Sequence, residues 1–201
     1  MGRQRNVLIA GLTCLAIVAG IGPAAAQPRD YTIDPNHFSI AFAVEHIGYA
    51  AVHGLFTEGQ GHFAYDEETG ELSDLEATIQ TASVFTGHER RDNHVRGGDF
   101  LDAENHPEIH FVMTGAERLS DTTGLVHGDL TIRGVTQPVT LEVTLNKIED
   151  YPFPASNPNH VIGATVSTTV RRSDFGMTYA VENGWVGDEV PLTIAFEAIG
   201  Q

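Results

Sequence analysis

The chain is almost free of cysteine, since Cys14 is the only one among 201 residues. It lies in an apolar stretch near the N-terminus, and a protein without that stretch would have no thiol. Disulfides and cysteine-based catalysis are then excluded. The sequence also lacks a zinc-protease helix motif, a nucleophile elbow and a phosphate-binding glycine loop. Its motifs therefore do not indicate catalysis.

Basic residues are also scarce, at 11 against 27 acidic residues, for a formal net charge of −16. Residues 1–26 contain two arginines and no acid, so the chain from residue 27 onward has a formal charge of −18. Such a surface repels nucleic acid and anionic lipid headgroups. We expect no nucleic-acid partner, and a soluble carrier rather than a protein that binds membrane surfaces.

The N-terminal residues have the layout of a secretory signal peptide. Arg3 and Arg5 precede an apolar run over 7–21, and Ala24-Ala25-Ala26 offers a small-residue cleavage site. The run is shorter than the roughly 20 residues of a spanning helix, so we expect no stable membrane anchor. The residues before Cys14 fit a lipoprotein signal poorly. We predict a signal peptide over 1–26, a periplasmic protein and a single domain over 27–201.

Apolar residues alternate with polar ones in several segments, as is typical of half-buried strands. The clearest segments are 38–44, 75–79, 109–113, 139–145 and 192–198. Segments rich in Gly or Asp at 66–70, 120–124 and 133–138 predict hairpin turns between strands. Long strands that contain glycines, where a sheet can bend, favour an all-β antiparallel barrel over a sandwich.

Two segments depart from this alternation. Residues 83–103 predict a short helix with Thr86 as its N-cap and Gly97-Gly98 as its end. Residues 150–159 contain three prolines, which exclude a central strand and predict a surface loop.

Ten histidines raise the question of a metal site. On a strand, His106 and His110 would lie about 13 Å apart, too far to share an ion. On a helix, His88 and His94 would point to different faces. His46 and His53 could meet across a hairpin, and that alternative stays open. We predict neither a metal nor a cofactor.

Four blocks, in order, carry a family resemblance. They read FAVEHIGY with HGLF (42–49 and 53–56), TGHERRDNHVRGGDFLDAENHPEIHF (86–111), GDLTIRGVTQPVTLEV (128–143) and RRSDFGMTYAVENGWVGDEVPLTIAFEA (171–198). Over about 31–198 the chain resembles the YceI family of bacterial secreted lipid-binding proteins. The resemblance implies a lipocalin-like antiparallel β-barrel with a short helical segment, holding a polyisoprenoid or similar lipid inside. It also suggests a homodimer, although the sequence identifies no interface.

Under this resemblance the apolar stripes would line a ligand tunnel. The lining would comprise Ile40, Phe42, Val44, Ile79, Phe111, Met113, Ile132, Val170 and Phe196, together with Phe56, Phe85, Phe100 and Phe175. His46 shares the parity of Phe42 and Val44 and would be the first polar group inside the pocket. The simpler interpretation of the same stripes is an ordinary hydrophobic core.

The segment with Arg90, Arg91, His94 and Arg96 admits two interpretations. It could hold the head group of the ligand, or it could form an ion-pair network that closes one end of the barrel. A pyrophosphate head would have to overcome the acidic background, so we favour a quinone or another uncharged head as a hypothesis. We place Arg91 and His94 among the ligand-binding residues.

The predicted function is a carrier of a long-chain isoprenoid, quinone or fatty-acid derivative without catalysis. One alternative is an enzyme on a hydrophobic substrate, with His46 or His94 as base. Another is a metal- or haem-binding stress protein.

Overall fold

The computed structural model describes residues 28–153 and 160–201. The predicted signal peptide and residues 154–159 of the proline-rich loop lie outside the described residues. No described helix has the length and apolarity needed to span a membrane. The strands are β1 (Arg29–His46), β2 (Ala50–Phe56), β3 (Gly59–Asp66), β4 (Glu71–Gln80), β5 (Val84–Phe85), β6 (Glu108–Arg118), β7 (Thr123–Ile132), β8 (Val135–Asp150), β9 (His160–Arg171) and β10 (Glu189–Gly200). The helix α1 spans Glu89–Arg96, and 3₁₀ turns span Thr81–Ser83 and Arg172–Phe175.

The strands form a closed antiparallel barrel. Strands β1, β3, β4, β6, β7, β8, β9 and β10 are neighbours in that order, and β10 pairs back with β1 to close eight strands. Strand β2 pairs with the C-terminal half of β1, from Ile40↔Phe56 to His46↔Ala50, and β5 pairs with β2. The predicted lipocalin-like barrel with a short helix is confirmed.

The period-two alternation places one face of each strand inside the barrel. Along β1 and β10 the inward residues meet in register, for example Ile40↔Ile194 and Phe42↔Leu192. Two buried clusters result. One surrounds Val84, Leu101 and Phe175 near the helix, and the other surrounds Tyr31 and Phe63 toward the opposite end.

The turn after β7 is shorter than predicted. Only Arg133 and Gly134 separate β7 from β8, and both have positive φ, 52° and 72°. Two consecutive positive-φ residues match a two-residue turn that follows the twist of a hairpin. Val135 therefore already belongs to β8, and Pro138 pairs with Asp129.

Helix α1 occupies the predicted place, but its N-cap is His88, not Thr86. The His88 side chain accepts a hydrogen bond from the Arg91 backbone N–H. Thr86 instead donates its backbone N–H and hydroxyl to the buried Asp92, and these bonds lower the pKa of Asp92. Gly97 ends the helix as expected.

Candidate functional site

The barrel encloses an apolar cavity of about 330 Å³. Most of its lining consists of the inward aliphatic and aromatic side chains of the barrel strands, and polar residues line it mainly near the two ends. Ten of the sixteen predicted site residues line it, namely Ile40, Phe42, Val44, Phe56, Ile79, Phe100, Phe111, Ile132, Val170 and Phe196. Whether they contact a ligand stays a prediction, but the structure does bring them together.

Three predicted apolar residues lie elsewhere. Phe85 belongs to the short strand β5 and is 52% exposed. Met113 is half-buried just beyond the last β6 residue that pairs with β4. Phe175 is buried in the 3₁₀ turn that follows β9, behind the lining.

The three predicted polar residues also lie outside the cavity. His46 has the expected parity but is exposed, because β1 extends beyond the barrel wall and pairs there with Ala50 and bridges Val186. Arg91 on α1 donates to Thr86 Oγ1 and O, both at 2.7 Å. His94 pairs with Asp99 at 2.9 Å.

Glycines in the wall give room to the phenylalanine rings inside the barrel. The rings of Phe38, Phe42 and Phe111 lie over glycines of adjacent strands so closely that a Cβ there would come within 3 Å of the ring. These glycines allow large aromatic rings to lie against the backbone. The centre of the barrel is therefore left less filled than its aromatic content would suggest.

The segments after β5 and after β9 close one end of the cavity, which we call the closed end. Val84, Leu101 and Met177 line the cavity there, and all three are buried. Arg96 ties α1 to the preceding turn through bonds of 2.8 Å to the carbonyls of Ala82 and Val84. These contacts favour the second interpretation of the Arg- and His-rich segment, in which it closes one end of the barrel.

A buried arginine lies at this closed end. Arg172 is 3% exposed and donates to the carbonyls of Met177, Val186 and Gly187, each at 2.7 Å. Its guanidinium carbon lies 5.6 Å from the centroid of the Phe100 ring. Burial lowers the pKa of Arg172, and nearby Asp188 opposes this shift. The side chain holds the segment after β9 in place across the barrel.

In the part of the chain that the structure describes, the opposite end, which we call the open end, reaches solvent. Its lining includes Gly70 of the β3–β4 turn, residues 120–122 of the β6–β7 turn and the first two residues of β7, Thr123 and Gly124. The Asp121 side chain is 97% exposed. The Arg118 guanidinium joins the two turns through bonds to Thr69 O at 2.8 Å and Asp121 Oδ1 at 2.9 Å. The cavity is thus a pocket with one closed and one open end.

Residues 31–198 match the family model of the YceI-like domain. The chain belongs to the YceI family. A UPF0312 protein from Pseudomonas savastanoi pv. phaseolicola is 33% identical over 191 residues, which cover 94% of this chain and 96% of that relative. A UPF0312 protein from Pectobacterium atrosepticum is 33% identical over 190 residues, or 94% of this chain and 95% of the relative.

Solved structures show the same barrel. The Campylobacter jejuni YceI protein is 28% identical, with a TM-score of 0.67 over 78% of this chain and 90% of that one. Burkholderia cenocepacia BcnA is 20% identical, with a TM-score of 0.72 over 82% and 98% of the two chains. A polyisoprenoid binding domain from Saccharophagus degradans is 12% identical, with a TM-score of 0.63 over 85% and 98%. At 20% and 12% identity, the BcnA and Saccharophagus degradans structures show only that the fold is shared.

Sequence reasoning on this YceI-family chain missed two arginines, Arg118 and Arg172, that line the cavity at opposite ends. Arg172 lies in the family-like block 171–198, but the sequence alone predicted no role for it. Arginines are almost never buried without partners. An arginine at the end of an inward-facing apolar stripe, just after Val170, is the signal that could have identified it.

Sequence reasoning also missed a group of three potential ligand side chains on the barrel wall. Within residues 28–153 and 160–201, ligand atoms of Asp34, His37 and Glu197 lie within 4.8 Å of one another. His37 Nδ1 is 2.7 Å from Asp34 and 3.5 Å from Glu197. The Asp34 hydrogen bond raises the pKa of His37, and the Asn36 backbone N–H holds the pKa of Asp34 low. In this arrangement the imidazole bridges the two carboxylates where the register of β1 with β10 shifts, between Ile33 and Phe38.

His46 and His53, which the sequence left open as a possible pair, do not face each other in the structure. In the register of β1 and β2, His46 pairs with Ala50 and His53 pairs with Ala43. The hairpin therefore does not place these two residues opposite each other.

Proposed function

We propose that this YceI-family protein is a periplasmic carrier that holds one long apolar chain, isoprenoid or fatty, inside its barrel without altering it. The observation that carries this proposal is the apolar cavity, closed at one end by buried residues and open to solvent at the other. Its volume falls in the range of roughly 300–1,000 Å³ typical of small-molecule sites.

The chemistry of the lining suits a hydrocarbon chain. Burial of each CH₂ group contributes about 0.8 kcal/mol, so a long chain can bind tightly without any charged contact. The solved relative from Saccharophagus degradans is described as a polyisoprenoid binding domain, which supports this ligand class.

Two features favour binding over catalysis. His46 and His94, the candidate bases, do not line the cavity. His94 is engaged with Asp99 and with the rings of Phe100 and Tyr179.

The periplasmic location rests on the signal-peptide pattern of residues 1–26.

The test is native mass spectrometry of the protein purified from its own periplasm, followed by organic extraction and identification of any bound lipid. We expect one isoprenoid or fatty chain per barrel. An empty barrel that also refuses added polyprenols and fatty alcohols would contradict the carrier function.

A matched pair of variants tests the location of the lipid. Phe42→Arg places a charge in the cavity and should abolish lipid uptake, whereas Phe85→Arg makes the same change on an exposed strand outside it. If Phe42→Arg still takes up lipid, Phe42 does not line the site that holds the lipid. Equal loss in both variants would point to general damage rather than a site.

A further inference from the structure

The barrel wall is incomplete between β4 and β6. Pairing of these strands runs only from Gln80↔Glu108 to Glu76↔Val112. Beyond that point, residues 71–75 of β4 have no partner on β6, and of these 71–73 pair with β3, while residues 115–118 of β6 pair with β7 alone. We call this gap the side opening. At about 3.3 Å per residue, five unpaired residues give it a length of roughly 16 Å.

The cavity reaches this side opening. Leu72 and Leu75 line it from β4, and Ala116 and Glu117 line it from β6. Among the described residues, one hydrogen bond spans the gap, from Arg118 Nη1 to Thr69 O at 2.8 Å. The opening is therefore a slot with an apolar floor, bridged at its outer edge by one side chain.

The rim of the side opening is acidic. Glu76, Glu117 and Asp121 line the cavity here, and the one arginine beside them is Arg118. His62 of β3, which pairs with Glu76, also lines the cavity. Arg118 already donates to Ser120 O, Thr69 O and Asp121 Oδ1. An anionic head group at the rim would meet like charges and a guanidinium that is already engaged.

The other arginine in the lining, Arg172, cannot compensate for this acidic charge. Arg172 lies at the closed end, buried, with bonds to three backbone carbonyls. A head group that stays at the solvent-exposed rim is separated from it by the length of the barrel.

We propose that the apolar chain enters through the side opening, that the head group of the cargo rests on its rim, and that this rim selects heads without negative charge. The preferred cargo is then a long-chain alcohol or quinone rather than the carboxylate or diphosphate of the same chain. This inference rests on the proposed carrier function and adds the entry site and the class of head group.

The experiment compares three ligands with one tail, geranylgeraniol, geranylgeranoic acid and geranylgeranyl diphosphate, on the delipidated protein at neutral pH. We expect the alcohol to bind at least about tenfold more tightly than the diphosphate, with the acid between them. Glu117→Lys should tighten diphosphate binding by about tenfold and leave alcohol binding within about twofold. Glu142→Lys is the matched control, because Glu142 is exposed on β8 and does not line the cavity.

The outcomes separate the two proposals. If none of the three ligands binds, the carrier function itself fails. If all three bind equally, or the diphosphate binds best to the wild type, the carrier function stands and the head-group inference is overturned. If Glu142→Lys changes selectivity as much as Glu117→Lys, the head does not rest at the side opening.

Discussion

The ring of Phe42 lies against Gly54 of the neighbouring strand, so that a Cβ at residue 54 would be 2.2 Å from Phe42 Cζ. Gly54→Ala must therefore push the ring toward the cavity or distort β2. We expect a loss of about 1–3 kcal/mol in the free energy of unfolding, as for other overpacked cores. Urea denaturation measures it.

Gly163→Ala is the control, because a Cβ at residue 163 would meet nothing within 4 Å. This change should be neutral or stabilise by up to about 1 kcal/mol, since alanine restricts the unfolded chain more than glycine. Adding Phe42→Leu to Gly54→Ala should restore part of the lost stability. Equal effects of Gly54→Ala and Gly163→Ala would refute the ring contact.

Arg172 links three backbone carbonyls at the closed end, and its replacement would leave them without a hydrogen-bond donor. Arg172→Met should lower the free energy of unfolding by about 3 kcal/mol or more, because each buried acceptor left without a donor costs about 1–3 kcal/mol. Arg171→Met tests the neighbouring exposed arginine, whose ion pair with Asp188 should contribute at most about 1 kcal/mol. Similar losses of stability from both variants would argue against a stabilising role of the Arg172 bonds to these carbonyls.

The contact between His37 and Asp34 predicts a pH dependence. The raised pKa of His37 means that its contribution to stability is complete below 6.5 and is lost as the pH rises through the folded-state pKa. The lowered pKa of Asp34 means that its contribution is present above 3.8 and is lost as the pH falls through the folded-state pKa. The pair therefore stabilises the fold between these limits.

We expect the difference in Tm between the wild type and His37→Gln to be largest near about pH 5 and to shrink in alkaline solution. Thermal melts across this range measure it. His127→Gln is the control, since that ring contacts the Thr140 hydroxyl and forms no ion pair with a carboxylate among the described residues. A Tm difference that is constant with pH would show that the Asp34 contact contributes nothing.

Local patterns predicted the barrel well, because strand alternation is a property of neighbouring residues. The side chains of Ile40, Phe42 and Val44 face inward as their parity requires. Parity does not say where the barrel ends, so it could not show that His46 lies outside the cavity lining. It lies on the same side of β1, beyond the last residue paired with β10.

Features that depend on distant pairing could not be read from the sequence. The side opening exists because β6 leaves β4 after Val112, although both strands continue to pair with their other neighbours. The bond between Arg118 and Thr69 joins residues 49 positions apart. Such contacts follow from the closure of the barrel and have no local signature.

Replacement of Arg118 should change the rates of ligand uptake and release rather than the affinity for the ligand. Arg118→Ala removes the described hydrogen bond that spans the side opening, and a bond of about 1 kcal/mol shifts an opening equilibrium by about fivefold. Stopped-flow mixing with retinol, a fluorescent uncharged isoprenoid, should show uptake and release both faster by about that factor, with little change in Kd. Arg133→Ala, which removes a bond to Gly176 O at the closed end, should leave both rates unchanged. If Arg133→Ala accelerates uptake and Arg118→Ala does not, the chain enters at the closed end beside Gly176, because the barrier to entry must lie where the removed bond was.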